Sequence, residues 1–189
     1  MHESIRQAIQ DSIAAKQQVL AQLVPAIEET GTILIDALKN SNKVLTCGNG
    51  GSAADAQHFA AELTCKYDKD RRALPAIALS TDTSHLTATG NDYSFDDIFS
   101  RGVEALGQKG DVLIAITTSG NSPNVLKAIE AAKKKGMSVI GLTGKGGGKM
   151  AALDIHKVIV PSNTTARIQE SHIMIIHIWC KLIDEALAP

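Results

Sequence analysis

The sequence predicts an α/β fold, a three-layer α-β-α sandwich around a five-stranded parallel sheet, with a helical pair in front and a long helix at the C-terminus. Three observations lead there. From Lys43 onward, short apolar runs alternate with segments of helical periodicity, the pattern of βα units that lay helices on both sides of a parallel sheet. The apolar runs are continuous rather than alternating, as in strands covered on both faces. Twice, such a run leads into a loop of Gly, Ser and Asn that opens a helix: Val44-Leu45-Thr46-Cys47-Gly48-Asn49-Gly50-Gly51-Ser52, and Val112-Leu113-Ile114-Ala115-Ile116-Thr117-Thr118-Ser119-Gly120-Asn121-Ser122.

In chain order, Ile5, Ile9, Ile13, Val19, Leu20 and Leu23 stand at mostly helical intervals and predict a helix from about Glu3 to Leu23. A second helix follows Pro25, a residue suited to a first helical turn, and runs through Leu38. Together they form an N-terminal helical extension of about residues 1–41. Strands are predicted at Val44–Cys47, Ala76–Leu79, Val112–Ile116, Val139–Leu142 and Ile155–Val160. The helices between them cover about Ser52–Lys66, Phe95–Leu106, Ser122–Lys135 and a short Gly147–Ala152, and the last helix runs from about Thr165 to Leu187. Gly144 to Gly148 reads as a flexible loop carrying two lysines. With no internal repeat and no long linker, residues 1–189 read as one domain.

Composition narrows the function classes. The 19 basic and 20 acidic residues leave a net charge of −1, which gives no electrostatic case for nucleic acid or a membrane surface as partner. Cys47, Cys65 and Cys180 are far apart without CxxC spacing, so neither a disulfide framework nor a thiolate zinc site is predicted, and a reducing compartment fits best. No apolar run is long enough to span a bilayer, and the first residues lack a signal-peptide core, so the expected location is cytoplasmic.

The two loops are suited to phosphate. Glycine admits an anion close to the backbone, hydroxyls donate to its oxygens, and the free N–H groups of the following helix point at it. Turn and N-cap roles explain one such loop equally well, but the second has more hydroxyl residues than a cap requires. Beyond the first loop, His58 and Glu62 are four apart and lie about 40° from each other around a helix axis. On the last helix Gln169 and His177 are eight apart, about 80° around the axis, whereas His172 points elsewhere. Two His, one carboxylate and one amide oxygen complete a tetrahedral zinc site if the two helices meet. The same residues also read as a local His58–Glu62 pair and a core histidine among Ile175, Ile176, Ile178 and Trp179. A Glu and a His beside a phosphate site also suit aldose–ketose isomerisation, in which a carboxylate takes a carbon-bound proton and a second group handles the oxygen proton. Asp92 in Gly90-Asn91-Asp92 suits polyol hydroxyls or, equally, a turn. Glu104, Glu130 and Glu170 fit a solvated face or a capping role.

Taken together, Cys47-Gly48-Asn49-Gly50-Gly51-Ser52, Asp55-Ala56-Gln57-His58-Phe59-Ala60-Ala61-Glu62-Leu63, Gly90-Asn91-Asp92, Asp97-Ile98-Phe99-Ser100-Arg101, Thr118-Ser119-Gly120-Asn121-Ser122, Leu142-Thr143-Gly144-Lys145 and Arg167-Ile168-Gln169-Glu170 with His172 and His177 resemble the sedoheptulose 7-phosphate (phosphoheptose) isomerases of the sugar-isomerase (SIS) fold group. The loops alone would imply only an SIS domain, and His58, Glu62, Gln169 and His177 add the resemblance to this family. It implies a homotetramer with active sites at subunit interfaces and one Zn2+ per subunit held by His58, Glu62, Gln169 and His177. It implies a phosphosugar site lined by Asn49, Gly50, Gly51, Ser52, Asn91, Asp92, Thr117, Thr118, Ser119, Ser122 and Gln169, with Glu62 and His177 as the acid–base pair. The implied reaction turns sedoheptulose 7-phosphate into D-glycero-D-manno-heptose 7-phosphate through an enediol, at the head of the route to the activated heptose of lipopolysaccharide and other glycans.

Two positions depart from the family pattern: Cys65-Lys66 stands where Gly-Arg is common, which keeps a charge but loses a bidentate donor, and Ala166 stands where an Asp occurs in some members. The first loop and the Ala56-Gln57-His58-Phe59-Ala60-Ala61 segment also resemble a non-catalytic SIS tetramer that binds the bacterial replication initiator. A sugar-phosphate sensor, or an isomerase for another sugar, would use the same loops. The presence of both Glu62 and His177 favours the isomerase.

Overall fold

The computed structural model describes residues 1–188. Five strands, β1 (Val44–Gly48), β2 (Ala76–Ala78), β3 (Val112–Thr117), β4 (Ser138–Thr143) and β5 (His156–Ile159), form one parallel sheet in the order β2-β1-β3-β4-β5. Val44 is in register with Ala76 on one side and Val112 on the other, Val112 with Ser138, and Ile140 with His156. The helices are α1 (His2–Gln22), α2 (Val24–Lys39), α3 (Gly51–Thr64), α4 (Thr83–Asp92), α5 (Ile98–Leu106), α6 (Pro123–Lys134) and α7 (Thr165–Leu187).

The strand period of two divides the sheet residues between two cores. Val44, Val112, Ile114, Ile116, Ile140, Leu142 and Val158 face α2, α3 and α7, where Leu34, Phe59, Ile175 and Trp179 are buried. Leu45, Cys47, Leu113, Ala115 and Val139 face α5 and α6, where Phe99, Val103, Val125 and Ile129 are buried. Trp179 is fully buried, and its indole N–H is shared between the Ile27 carbonyl (3.2 Å) and the Thr30 hydroxyl (3.1 Å), which ties α7 to α2. Burial pushes the Cys47 thiol up to about 12, consistent with a packing rather than a reactive role.

The structure differs from these expectations at several points. Helix α4 was not predicted: Thr83–Asp92 is rich in Thr and poor in apolar residues, and its start is set instead by the Asp82 side chain accepting from the His85 backbone N–H at 2.9 Å. Gly90-Asn91-Asp92 is therefore the last turn of a helix rather than a loop turn. The strands are not all covered on both faces, because β2 and β5 are sheet edges and Ile77 is exposed. Gly144–Gly148 leads into a 3-10 segment over Lys145–Ala152 and packs on the loop after β3. Helix α1 forms where its spacing predicts, and its apolar stripe faces outward: Val19 is buried, but Ile5, Ile9, Ile13 and Leu20 are each more than half exposed.

Candidate functional site

The order 2-1-3-4-5 reverses direction between β1 and β3, and ligands of such sheets bind at the carboxyl ends of the strands beside that switch point. Both predicted loops end there. After β1, Gly50 takes φ +53, a backbone conformation open to glycine, and α3 starts at Gly51, with the Ser52 and Ala53 N–H groups donating to the Asn49 and Gly50 carbonyls at 2.9 and 3.0 Å. After β3, the Thr117 hydroxyl lies 2.9 Å from that of Ser122 and 3.4 Å from that of Ser119, so three hydroxyls converge ahead of α6. Pro123 at the start of α6 removes an N–H that would lack a helical partner. Thr118 is half-buried in the same loop.

The loops are fixed to each other and to what lies behind them. Asn49 and Asn124 exchange side-chain hydrogen bonds of 2.9 Å each. Gly120 has φ +68, and a Cβ there would run into the Gly147 carbonyl, so the turn beginning at Gly144 braces the second loop. The Met150 N–H donates to the Gly120 carbonyl (3.1 Å) and the Lys149 N–H to the Asn121 side chain (2.9 Å), which completes that brace.

Helices α3 and α7 run side by side in the same direction, with the Gln169 amide over Gly51 and His177 against His58. A Cβ on Gly51 would displace the Gln169 amide from this position. Farther along the same seam, His58 Nε2 lies 2.9 Å from Glu62 Oε1 and 3.3 Å from His177 Nε2. The helices do meet, and residues 119 apart in sequence come into contact there. Glu62, His58 and His177 form a connected row. Gln169 is two turns earlier on α7, and Ser52 is buried in the first turn of α3.

The row fits a metal partly. Two nitrogens on one tetrahedral zinc, each about 2.0–2.1 Å from it, stand about 3.3 Å apart, which is the separation of the two Nε2 atoms. Among the described residues, however, no three or more His, Cys, Asp and Glu are placed to close round a metal ion, and the Glu62 carboxylate bonds to His58. Three donors thus have the chemistry and nearly the spacing for zinc, and the fourth, Gln169, lies over the phosphate-type loop.

Asn91 and Asp92 are exposed at the end of α4, where Asn91 donates to the Asp92 carboxylate at 2.8 Å. Asp92 lines a cleft of about 350 Å³ with His85, Tyr93 and Arg101 rather than the two loops. His172 is fully buried, with its Nε2–H donating to the Thr143 carbonyl at 3.2 Å, and it points away from the His58–Glu62–His177 row, as its helical position predicts.

Sequence reading assigned no role to three residues. Asn124 links the loops, as described. Asp55 lies on the α3 stripe of Gly51, His58 and Glu62 and is buried, with Oδ2 unpartnered. Burial pushes its carboxyl up to about 6, against the opposing effect of His58. The Tyr67 ring packs on that of His177, with centroids 5.6 Å apart. Asp55 carries a signal in its one-turn spacing from His58; the other two act across long sequence separations.

Similarity to known proteins agrees with this geometry. The SIS domain family matches residues 9–144. The phosphoheptose isomerase of Campylobacter concisus is 56% identical over 185 residues, which cover 96% of this chain and 98% of that protein. The structure of phosphoheptose isomerase GmhA from Neisseria gonorrhoeae superposes with a TM-score of 0.92 at 50% identity, covering 97% of this chain and 98% of that one. That of a phosphoheptose isomerase from Francisella tularensis gives 0.93 at 42% identity, covering 97% of each chain. With this similarity spanning nearly its whole length, the chain belongs to the phosphoheptose isomerase family of SIS-domain proteins.

Proposed function

We propose that this protein is an isomerase that converts D-sedoheptulose 7-phosphate to D-glycero-D-manno-heptose 7-phosphate. The observation that carries the reading is the row Glu62–His58–His177, set beside two phosphate-type loops in a chain 56% identical to a phosphoheptose isomerase. The loop hydroxyls of Thr117, Ser119 and Ser122 and the N-terminus of α3 receive the 7-phosphate, and the Gln169 amide meets the sugar beyond it. Glu62 takes the proton from the carbon next to the carbonyl and returns it to the neighbouring carbon. His177 moves the hydroxyl proton between the two oxygens, so that charge does not build up on the enediol. His58, Glu62, Gln169 and His177 are the proposed holders of a zinc ion, whose contribution when bound is to polarise the sugar oxygens.

The assembly proposed is a homotetramer. The unpartnered stripe Ile5, Ile9, Ile13 and Leu20 on α1 supports self-association, and an interface would bring Asn91 and Asp92 to a neighbour's site. The product is assigned to the first step of nucleotide-activated heptose synthesis for lipopolysaccharide or other glycans, in the cytoplasm. Among the described residues no helix is long and apolar enough to cross a membrane. The replication-initiator-binding and sensor readings are not favoured, because neither needs a Glu and a His joined through a second His.

The test is isomerisation of sedoheptulose 7-phosphate by the purified protein as isolated, after chelation, and after zinc is returned. The expected result is turnover that is lost and then restored. Turnover indifferent to chelation removes zinc from the proposal, and no turnover with sugar phosphate still bound transfers the reading to a sensor.

A further inference from the structure

His177 has two aromatic neighbours. The His58 ring meets it edge-on, with centroids 5.0 Å apart and planes at 65°, and the Tyr67 ring covers another side at 5.6 Å and 36°. Tyr67 is not part of a helix. It lies in the irregular segment that leaves α3, where a side chain keeps its place only if the backbone is tied down.

The tie is a buried ion pair that the proposed chemistry does not use. Asp184 accepts from the backbone N–H groups of Asp68 and Lys69, the two residues after Tyr67, at 2.9 Å each, and from Arg71 Nε at 2.7 Å. The Arg71 and Asp184 side chains are 0% and 2% exposed. Burial alone would raise the Asp184 carboxyl, but the two backbone donors and the Arg71 guanidinium hold it below the usual carboxylate range. Arg71 also donates Nη2 to the Glu62 carbonyl (2.9 Å) and Nη1 to the Leu63 carbonyl (3.0 Å), near the end of α3. Asp184 is seven residues after His177 on α7, so both lie on one face, about 20° apart around the axis and about 10 Å along it. One helix face therefore carries His177 and also the anchor of the residue packed on His177, and the same arginine reaches the backbone of Glu62.

We propose that Tyr67, held by the Arg71–Asp184 clamp, is a positioning residue that fixes the His177 ring with its Nε2 toward His58 and Glu62. The functional part of this inference rests on the isomerase reading. If Tyr67 were only apolar cover for the neighbouring core, any large apolar side chain would replace it without loss. If it orients the ring, an aromatic side chain is required. A group that fixes a ligand or acid–base histidine from behind is worth about 10- to 100-fold in metal affinity or activity when removed.

The experiment compares wild type, Tyr67→Phe and Tyr67→Leu in full-length protein with 13C-labelled histidine, following the His177 ring relaxation together with kcat and KM for sedoheptulose 7-phosphate. Tyr67→Phe is expected to match wild type in both. Tyr67→Leu is expected to raise the mobility of the His177 ring, read from 13C relaxation of its ring carbons because loss of the Tyr67 ring current shifts the resonance whether or not the ring is held, and to lower kcat about 10- to 100-fold with KM little changed. Asp184→Asn is expected to raise the same mobility, and the Tyr67 pair decides the matter if that variant fails to fold. A Tyr67→Leu protein with wild-type kcat, or with wild-type His177 ring relaxation, overturns the proposal. Absence of turnover in wild type would overturn the isomerase reading instead, and the ring relaxation would still decide whether Tyr67 holds His177.

Discussion

Asn49 and Asn124 hold each other by two reciprocal side-chain hydrogen bonds of 2.9 Å, joining the loop after β1 to the first turn of α6. Each amide uses its carbonyl and one N–H in the pair, and Asn124 is almost wholly buried. The loops after β1 and β3 are thus set at a fixed separation across the switch point of the sheet. Replacing Asn124 with Ala removes both bonds, at a cost of about 1–3 kcal/mol for the groups left unpaired. The expected outcome is a lower urea midpoint and a KM for phosphosugar that rises more than kcat falls. A wild-type KM would show that the loops are placed independently of the pair.

Glu62 is half-buried and already bonded to His58, so Glu62→Gln preserves shape and a hydrogen bond while removing the proton acceptor. Loss of a general base lowers turnover by about 10²- to 10⁴-fold. The expected protein is folded, with an unchanged circular dichroism spectrum and a kcat reduced by that order. Normal turnover would remove Glu62 from the chemistry.

The sequence made much of this arrangement legible, and the exceptions share a physical cause. Helix α7 runs over the predicted residues, and both loops stand where the change from apolar run to Gly, Ser and Asn puts them, because those signals are local. Helix α4 escaped because its residues are weak helix formers and only the Asp82 cap marks its start. The spacing of His58 and Glu62 gave their shared face, but contact with His177 depends on how α3 packs on α7. The same holds for Tyr67, which reaches His177 through a segment fixed by Asp184, 117 residues beyond it. The apolar residues of α1 have the helical period the sequence predicts, yet periodicity alone does not say what covers them.

His177→Ala removes one of the two facing Nε2 atoms and one proposed proton carrier together. Zinc content after dialysis, measured by a chromogenic chelator, and kcat are expected to fall in the same variant. A protein with full zinc and full rate would separate His177 from both roles.

The α1 stripe gives an assembly prediction. Ile9 and Ile13 are 56% and 52% exposed on successive turns. Placing Asp at both buries charge in any interface built on that face, and an uncompensated buried charge costs several kcal/mol. Sedimentation velocity is expected to show a smaller species for the double variant than for wild type. Equal mass in the two would move the interface away from α1.

His172 sets an acid limit on stability. Burial pushes it from 6.5 down to about 4, against the raising effect of the Thr143 carbonyl, so the folded protein keeps it neutral. Between pH 6.5 and about 4 the unfolded chain binds a proton that the folded chain does not, so its contribution is fully present above pH 6.5 and is lost as pH falls, by about 3 kcal/mol across the window. Asp55 acts in the opposite sense. Burial raises its carboxyl from 3.8 to about 6, so the folded chain takes up its proton first and this site gains stability as pH falls through 6. The comparison that isolates His172 is therefore the urea midpoint of wild type against His172→Gln at pH 7 and pH 5. The amide retains a donor for the Thr143 carbonyl and does not titrate, so the variant is expected to lose less stability between the two pH values than wild type. Equal losses would mean that His172 does not govern the acid response.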